Sequence, residues 1–148
     1  MSTVVSKFDY RAPADIIEAE RERLGIIEPL VPLQVLPEPL IGTWVNCDHQ
    51  TRGLVRVMIA ANGKEVSIHA FGACQPNPCD WGITNGIIYA DDVAEVPAVG
   101  FTAKYAFAFK ETIMVGHLLK GSLMVETFDH FTDGSGRADY YSLDILAK

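Results

Sequence analysis

No stretch of this 148-residue chain approaches the ~20 apolar residues that a membrane-crossing helix requires. Basic residues are also scarce, 12 Lys and Arg against 19 Asp and Glu, and nowhere do they gather into a run. A formal net charge of −7 leaves no basic surface for a phosphate backbone or an anionic bilayer, so neither nucleic acid nor membrane is expected as a partner. Met1 to Asp9 brings in an acid early and lacks the apolar core of a secretory signal. A cytoplasmic protein is the expectation.

Cysteine is nearly absent. Cys47, Cys74 and Cys79 make an odd count in a chain without an export signal, which argues against a disulfide framework and for reduced thiols. The stretch from Cys74 to Cys79 is the exception, because two prolines stiffen a loop that could bring both sulfurs together. With His69 and Asp80 these cysteines have zinc-binding chemistry, but their spacing is looser than a zinc knuckle and no second Cys/His pair completes a tetrahedron. No nucleophile elbow of the Gly-x-Ser-x-Gly kind is present. Asp133-Gly134-Ser135-Gly136 lacks the strand-to-helix context of a phosphate loop and reads as a turn. No cofactor and no metal are expected.

What is present is apolar content of 49% with 21% charged residues, enough for one folded domain without staples. Pro13 to Gly25 predicts a helix, with proline in the first turn, acids near its positive end and a glycine stop. Ile26 to Ile41 carries Pro29, Pro32, Pro37 and Pro39, which exclude a helix and a central strand and predict an extended strap along the domain or across a neighbouring subunit. The division expected is therefore 1–41 for helix and strap and 42–148 for a β-domain. Strand signals follow at Thr43–Asp48, Leu54–Ala60, Val66–Ala73, Ile83–Asp91, Phe101–Phe109, Thr112–Leu119, Ser122–Phe131 and Arg137–Leu146. Asn62-Gly63 and Lys120-Gly121 read as tight hairpin turns. No helical crossover separates the strands, so an antiparallel meander is favoured, and closing it removes the exposed edges. The predicted fold is all-β, an eight-stranded antiparallel up-and-down barrel.

Gly42-Thr43-Trp44 at the head of eight meandering strands resembles the calycin group, which comprises lipocalins, avidins and intracellular fatty-acid-binding proteins. The resemblance spans roughly residues 40–148 and implies a container for a small molecule. Calycins commonly set an Arg from the last strand against that Trp near the closed end, and Arg137 is the matching residue. No biotin-binding pattern and no portal helix pair accompanies the motif.

Alternation assigns some strand faces. Val55, Val57 and Ile59 on the second strand, and Val66, Ile68 and Ala70 on the third, are the expected core sides. Phe101, Tyr105, Phe107 and Phe109 share one face of the fifth and are expected to fill the barrel or line an apolar cavity. The seventh and eighth strands are apolar on both sides, which points to an outer cover such as a homo-oligomer contact or the strap. The Cys74–Trp81 loop reads as a stiff aromatic lip at the barrel mouth.

These features lead to a barrel that binds a hydrophobic small molecule, apolar or aromatic, in its interior, with Trp44, Trp81, Tyr105, Phe107, Phe109 and Tyr141 as the ligand-facing candidates. A small barrel cyclase or isomerase is the alternative, with His117, Glu126 and His130 as acid–base candidates and the two histidines expected to face each other on neighbouring strands. A non-catalytic assembly module with a filled interior is the third reading.

Overall fold

Eight strands joined by short connections run from Gly42 to Ala147 in the computed structural model, which describes Arg23, Gly25 and residues 33–148. They are β1 (Gly42–Asn46), β2 (Leu54–Asn62), β3 (Glu65–Gly72), β4 (Cys79–Ala90), β5 (Ala98–Ala106), β6 (Lys110–Leu119), β7 (Ser122–Phe131) and β8 (Tyr140–Ala147). Each pairs antiparallel with its successor, and β8 closes on β1 through Val45↔Ala147 and Asn46↔Leu146. The up-and-down closed barrel is as expected. Gln34 to Lys148 forms one compact unit. The helix expected over Pro13 to Gly25 lies outside the described residues except for Arg23 and Gly25.

Within the described part of the strap Leu36 bridges Pro97 in parallel, its N–H and C=O bonded to Val96 (2.7 Å) and Ala98 (2.9 Å) at the start of β5. The expectation that its prolines exclude any helix needs correction, because Glu38–Leu40 makes one 3-10 turn with Pro37 at its N-cap. A single turn tolerates proline at its start, where the missing N–H has no intrahelical partner to lose. This turn drops Leu40 into the barrel end beside Trp44, both fully buried, and the Trp44 indole N–H donates to the Leu40 carbonyl at 2.9 Å. The cation over the Trp44 ring is Lys148, 5.0 Å from its centroid and bonded to the Ile41 carbonyl at 2.9 Å. Arg137 is not that partner. It lies before β8, at the opposite barrel end, where it pairs with Asp133 (2.8 Å) and stacks over Phe131.

The buried core includes Val57, Ile59, Val66, Ile68, Phe101, Met114, Leu123 and Val125. The register explains two departures from simple alternation. A bulge between Leu54 and Arg56 turns both Leu54 and Val57 inward and leaves Val55 half-buried, outside the core face expected for it. β5 ends at Ala106, so only Phe101 and Tyr105 of its expected aromatic face are buried, Phe107 is half-buried and Phe109 lies exposed in the turn before β6. On β7 the inward set is Leu123, Val125, Thr127 and Asp129, and on β8 it is Ser142, Asp144 and Leu146.

Phe101 needs the space beside Gly116, where an added Cβ would lie 2.2 Å from the ring. Gly116→Ala should therefore lower unfolding stability by about 1–3 kcal/mol through overpacking. Chemical denaturation of the variant beside the wild type measures it, and equal midpoints would show that Phe101 can move aside without cost.

Candidate functional site

The barrel end opposite Trp44 is where β1–β2, β3–β4, β5–β6 and β7–β8 are connected. Its geometry starts from a second bulge. His69 pairs with Ile83 and Phe71 with Asp80, so Ala70 faces two residues, Trp81 and Gly82, and Gly82 adopts φ +84. The bulge takes the Ala70 N–H and the Gly82 carbonyl out of the ladder, and the Tyr105 hydroxyl serves both. It accepts from Ala70 N at 3.2 Å and lies within donor reach of Gly82 O (2.9 Å) and Ile68 O (3.0 Å). Burial pushes the Tyr105 hydroxyl up to about 12. From outside, Asp80 clamps the same bulge by accepting the Gly82 N–H (2.8 Å) and contacting His69 Nε2 (2.7 Å), contacts that hold its carboxyl below the ordinary range.

The clamped bulge carries Trp81 to the mouth. Its ring meets Tyr105 and Phe107 edge-on, each at 5.6 Å, and Phe107 stacks on Tyr105 and Phe109. Lys110 extends its ammonium into this aromatic group, 5.2 Å from the Trp81 centroid and 5.6 and 5.7 Å from those of Phe107 and Phe109. It donates to Asp129 at 3.2 Å, and the same carboxylate accepts the Thr112 hydroxyl. The side chains of Lys110 and Asp129 are 11% and 3% exposed, so the ion pair is buried. Burial and then contact with Asp129 hold the Tyr140 hydroxyl above its ordinary value. Trp81, Lys110, Asp129 and Tyr140 border a hollow of about 160 Å³, completed by Arg52, Ser142 and Cys79 of the Cys74–Trp81 loop.

The rim is held by a second buried carboxylate. Asp144 accepts from Asn46 Nδ2 (2.9 Å), Thr51 Oγ1 (3.2 Å) and the Leu54 N–H (3.4 Å), tying the β1–β2 loop to β8. Across the mouth, Cys74 and Cys79 are joined in a disulfide with Cα atoms 5.4 Å apart, and Cys47 is free. The loop named as the exception to reduced thiols does bring the two sulfurs together, because the hairpin pairs Gly72 with Cys79. Bonded to each other, these sulfurs are no zinc ligands.

Of the ligand-facing candidates, Trp81, Tyr105, Phe107 and Phe109 come together at the mouth, although the Tyr105 hydroxyl is committed to the backbone. Trp44 is sealed at the other end, and Tyr141 points outward, its hydroxyl donating to Glu126 at 3.0 Å. The histidines do not face each other. His117 pairs across the sheet with Met124 and His130 with Glu111, at opposite ends of β6 and β7, and His130 is raised by Asp139 at 2.8 Å. Sequence reasoning passed over Arg52 and Lys110 as site residues. The legible signal was Asp129, an acid two and four residues from Thr127 and Val125 on their own parity, opposite Thr112 on β6.

A larger hollow of about 540 Å³ lies on the outer face of β6–β8, against Ile113, Phe128 and Tyr141. No helix among the described residues is long and apolar enough to cross a membrane. No protein-family model, curated protein or solved structure matches the chain.

Tyr105→Phe should loosen the bulge and lower stability by about 1–2 kcal/mol. The sign with pH follows from the raised pKa: the protonated hydroxyl's contribution is complete below about pH 10 and is lost as pH rises through about 12. The wild type should lose stability over that range more steeply than the variant, as read from denaturation midpoints. Parallel curves would remove Tyr105 from this role.

Proposed function

We propose that the protein is a calycin-like binding barrel whose ligand seat is the mouth rather than the axis. Trp44, Phe101 and Met114 are buried in the core, whereas the polar and charged inner side chains border the mouth, which favours a seat there. The observation that carries this reading is the buried Lys110–Asp129 pair set against Trp81 at the border of the hollow. A buried ion pair at best breaks even against apolar residues of similar volume, so packing alone gives little reason to place one there. An ammonium has three protons, and one goes to Asp129. A ligand carboxylate can take another, with Arg52 as a second cation and the Trp81 face as a wall for a planar or short apolar body.

Size narrows the ligand further. At about 30 Å³ per water, the hollow holds on the order of five waters, below the ~300 Å³ of pockets for drug-sized molecules. The ligand class is thus a compact organic acid. The hydrophobic partner read from the sequence is reduced to that acid's apolar body.

Titration of ¹⁵N-labelled protein with small aliphatic and aromatic carboxylates, and with the matching neutral amides, tests this. The Trp81 indole cross-peak should move with at least one acid at millimolar concentration and stay still with its amide, while the Trp44 cross-peak stays still throughout. Lys110→Met should weaken binding at least tenfold, and Lys148→Met, at the sealed end, should leave it unchanged. A Trp81 signal that no carboxylate moves, or one that moves equally in Lys110→Met, would overturn the proposal.

A further inference from the structure

Among the described residues the closed barrel has no free strand edge, yet one part of its outer surface is left uncovered by them. Ile113 on β6, Phe128 on β7, Tyr141, Leu143 and Ile145 on β8, and Val45 on β1 form one outward apolar face, each residue 44–50% exposed. Direct cross-strand neighbours make it continuous: Ile113 faces Phe128, Phe128 faces Tyr141, and Met124 faces Ile145. A contiguous face of this kind exceeds the single apolar residues scattered over an ordinary surface.

We infer that this face packs against the same face of a second copy of the chain. Six half-exposed side chains with ~150–200 Å² each amount to about 400–600 Å² per copy, roughly half to three quarters of the ~800 Å² that each partner gives to a stable interface. The face is also complementary to itself. One end carries Glu111 and the outer hollow against Ile113, Phe128 and Tyr141, whereas the other end carries Leu119, half-exposed, and Lys120 in the β6–β7 turn. A two-fold axis through the middle of the face, near Val115 and its neighbour Glu126, exchanges the two ends. It sets Leu119 of each copy toward the hollow of the other and Lys120 toward the other copy's Glu111. Glu126, the acid inside the face, already accepts the Tyr141 hydroxyl at 3.0 Å, so burial does not leave it without a hydrogen bond. Sheets packed this way lie about 10 Å apart with strands near −30°, the geometry of a sandwich built between barrels.

Sedimentation equilibrium of the full chain should give twice the 16.2 kDa of one chain at micromolar concentration. Phe128→Glu should give the monomer with an unchanged far-ultraviolet spectrum. Glu111→Lys should weaken association at least tenfold, and adding Lys120→Glu should restore it; this charge exchange tests the two-fold arrangement even where Phe128→Glu fails to fold. A wild-type monomer at ~100 µM, a range where standard-size interfaces are occupied, would overturn the inference. A dimer undiminished by both Phe128→Glu and Glu111→Lys would overturn it as well.

Discussion

Closure of β8 on β1 is the constraint from which the rest of this structure follows. The ladder there is short, with Val45 and Asn46 paired to Ala147 and Leu146 and one further bond from the Cys47 N–H to the Ile145 carbonyl at 2.8 Å. Side chains strengthen it at both ends. Asn46 binds Asp144 at the mouth, and Lys148 binds the Ile41 carbonyl at the plugged end. Closing the sheet divides every strand into an inner and an outer face and removes edges that would otherwise recruit other strands. The charged and polar inner side chains, among them Asn46, Lys110, Thr112, Asp129 and Asp144, then gather where the barrel is open.

The two barrel ends solve different problems. At one end Leu40, Trp44 and the proline turn seal the core with apolar volume and a single indole hydrogen bond. At the other, a bulge spends ladder hydrogen bonds to re-aim Trp81, and Tyr105 and Asp80 make up for the loss from inside and outside. Irregular backbone secured from both faces is costly for a mere connection, and it sits beside the buried ion pair. The seat proposed for a small acid and the strain of the mouth therefore share one cause, the placement of Trp81 against Lys110.

Much of the fold was legible. Alternation in Val66, Ile68 and Ala70 and the Lys120-Gly121 turn located β3 and the β6–β7 hairpin, because local side-chain period and turn chemistry determine both. The site was less so. Lys110 lies in a short hairpin beside Glu111, and nothing local distinguishes a surface turn from a cation whose partner is 19 residues away on β7. Asp144 and Asn46 are separated by 98 positions, and their bond exists only because the barrel closes. Parity failed where a bulge intervenes, since one extra residue between Leu54 and Arg56 takes Val55 off the inward face.

The sequence by itself determined an antiparallel meander of eight strands and an aromatic lip at Trp81, since each depends on residues within a few positions of one another. Tertiary structure alone decided that Lys148 rather than Arg137 covers Trp44, and that Asp129 points in while His130 points out. Those outcomes depend on register across strands distant in the chain, and a one-residue shift in register reverses every side chain on a strand.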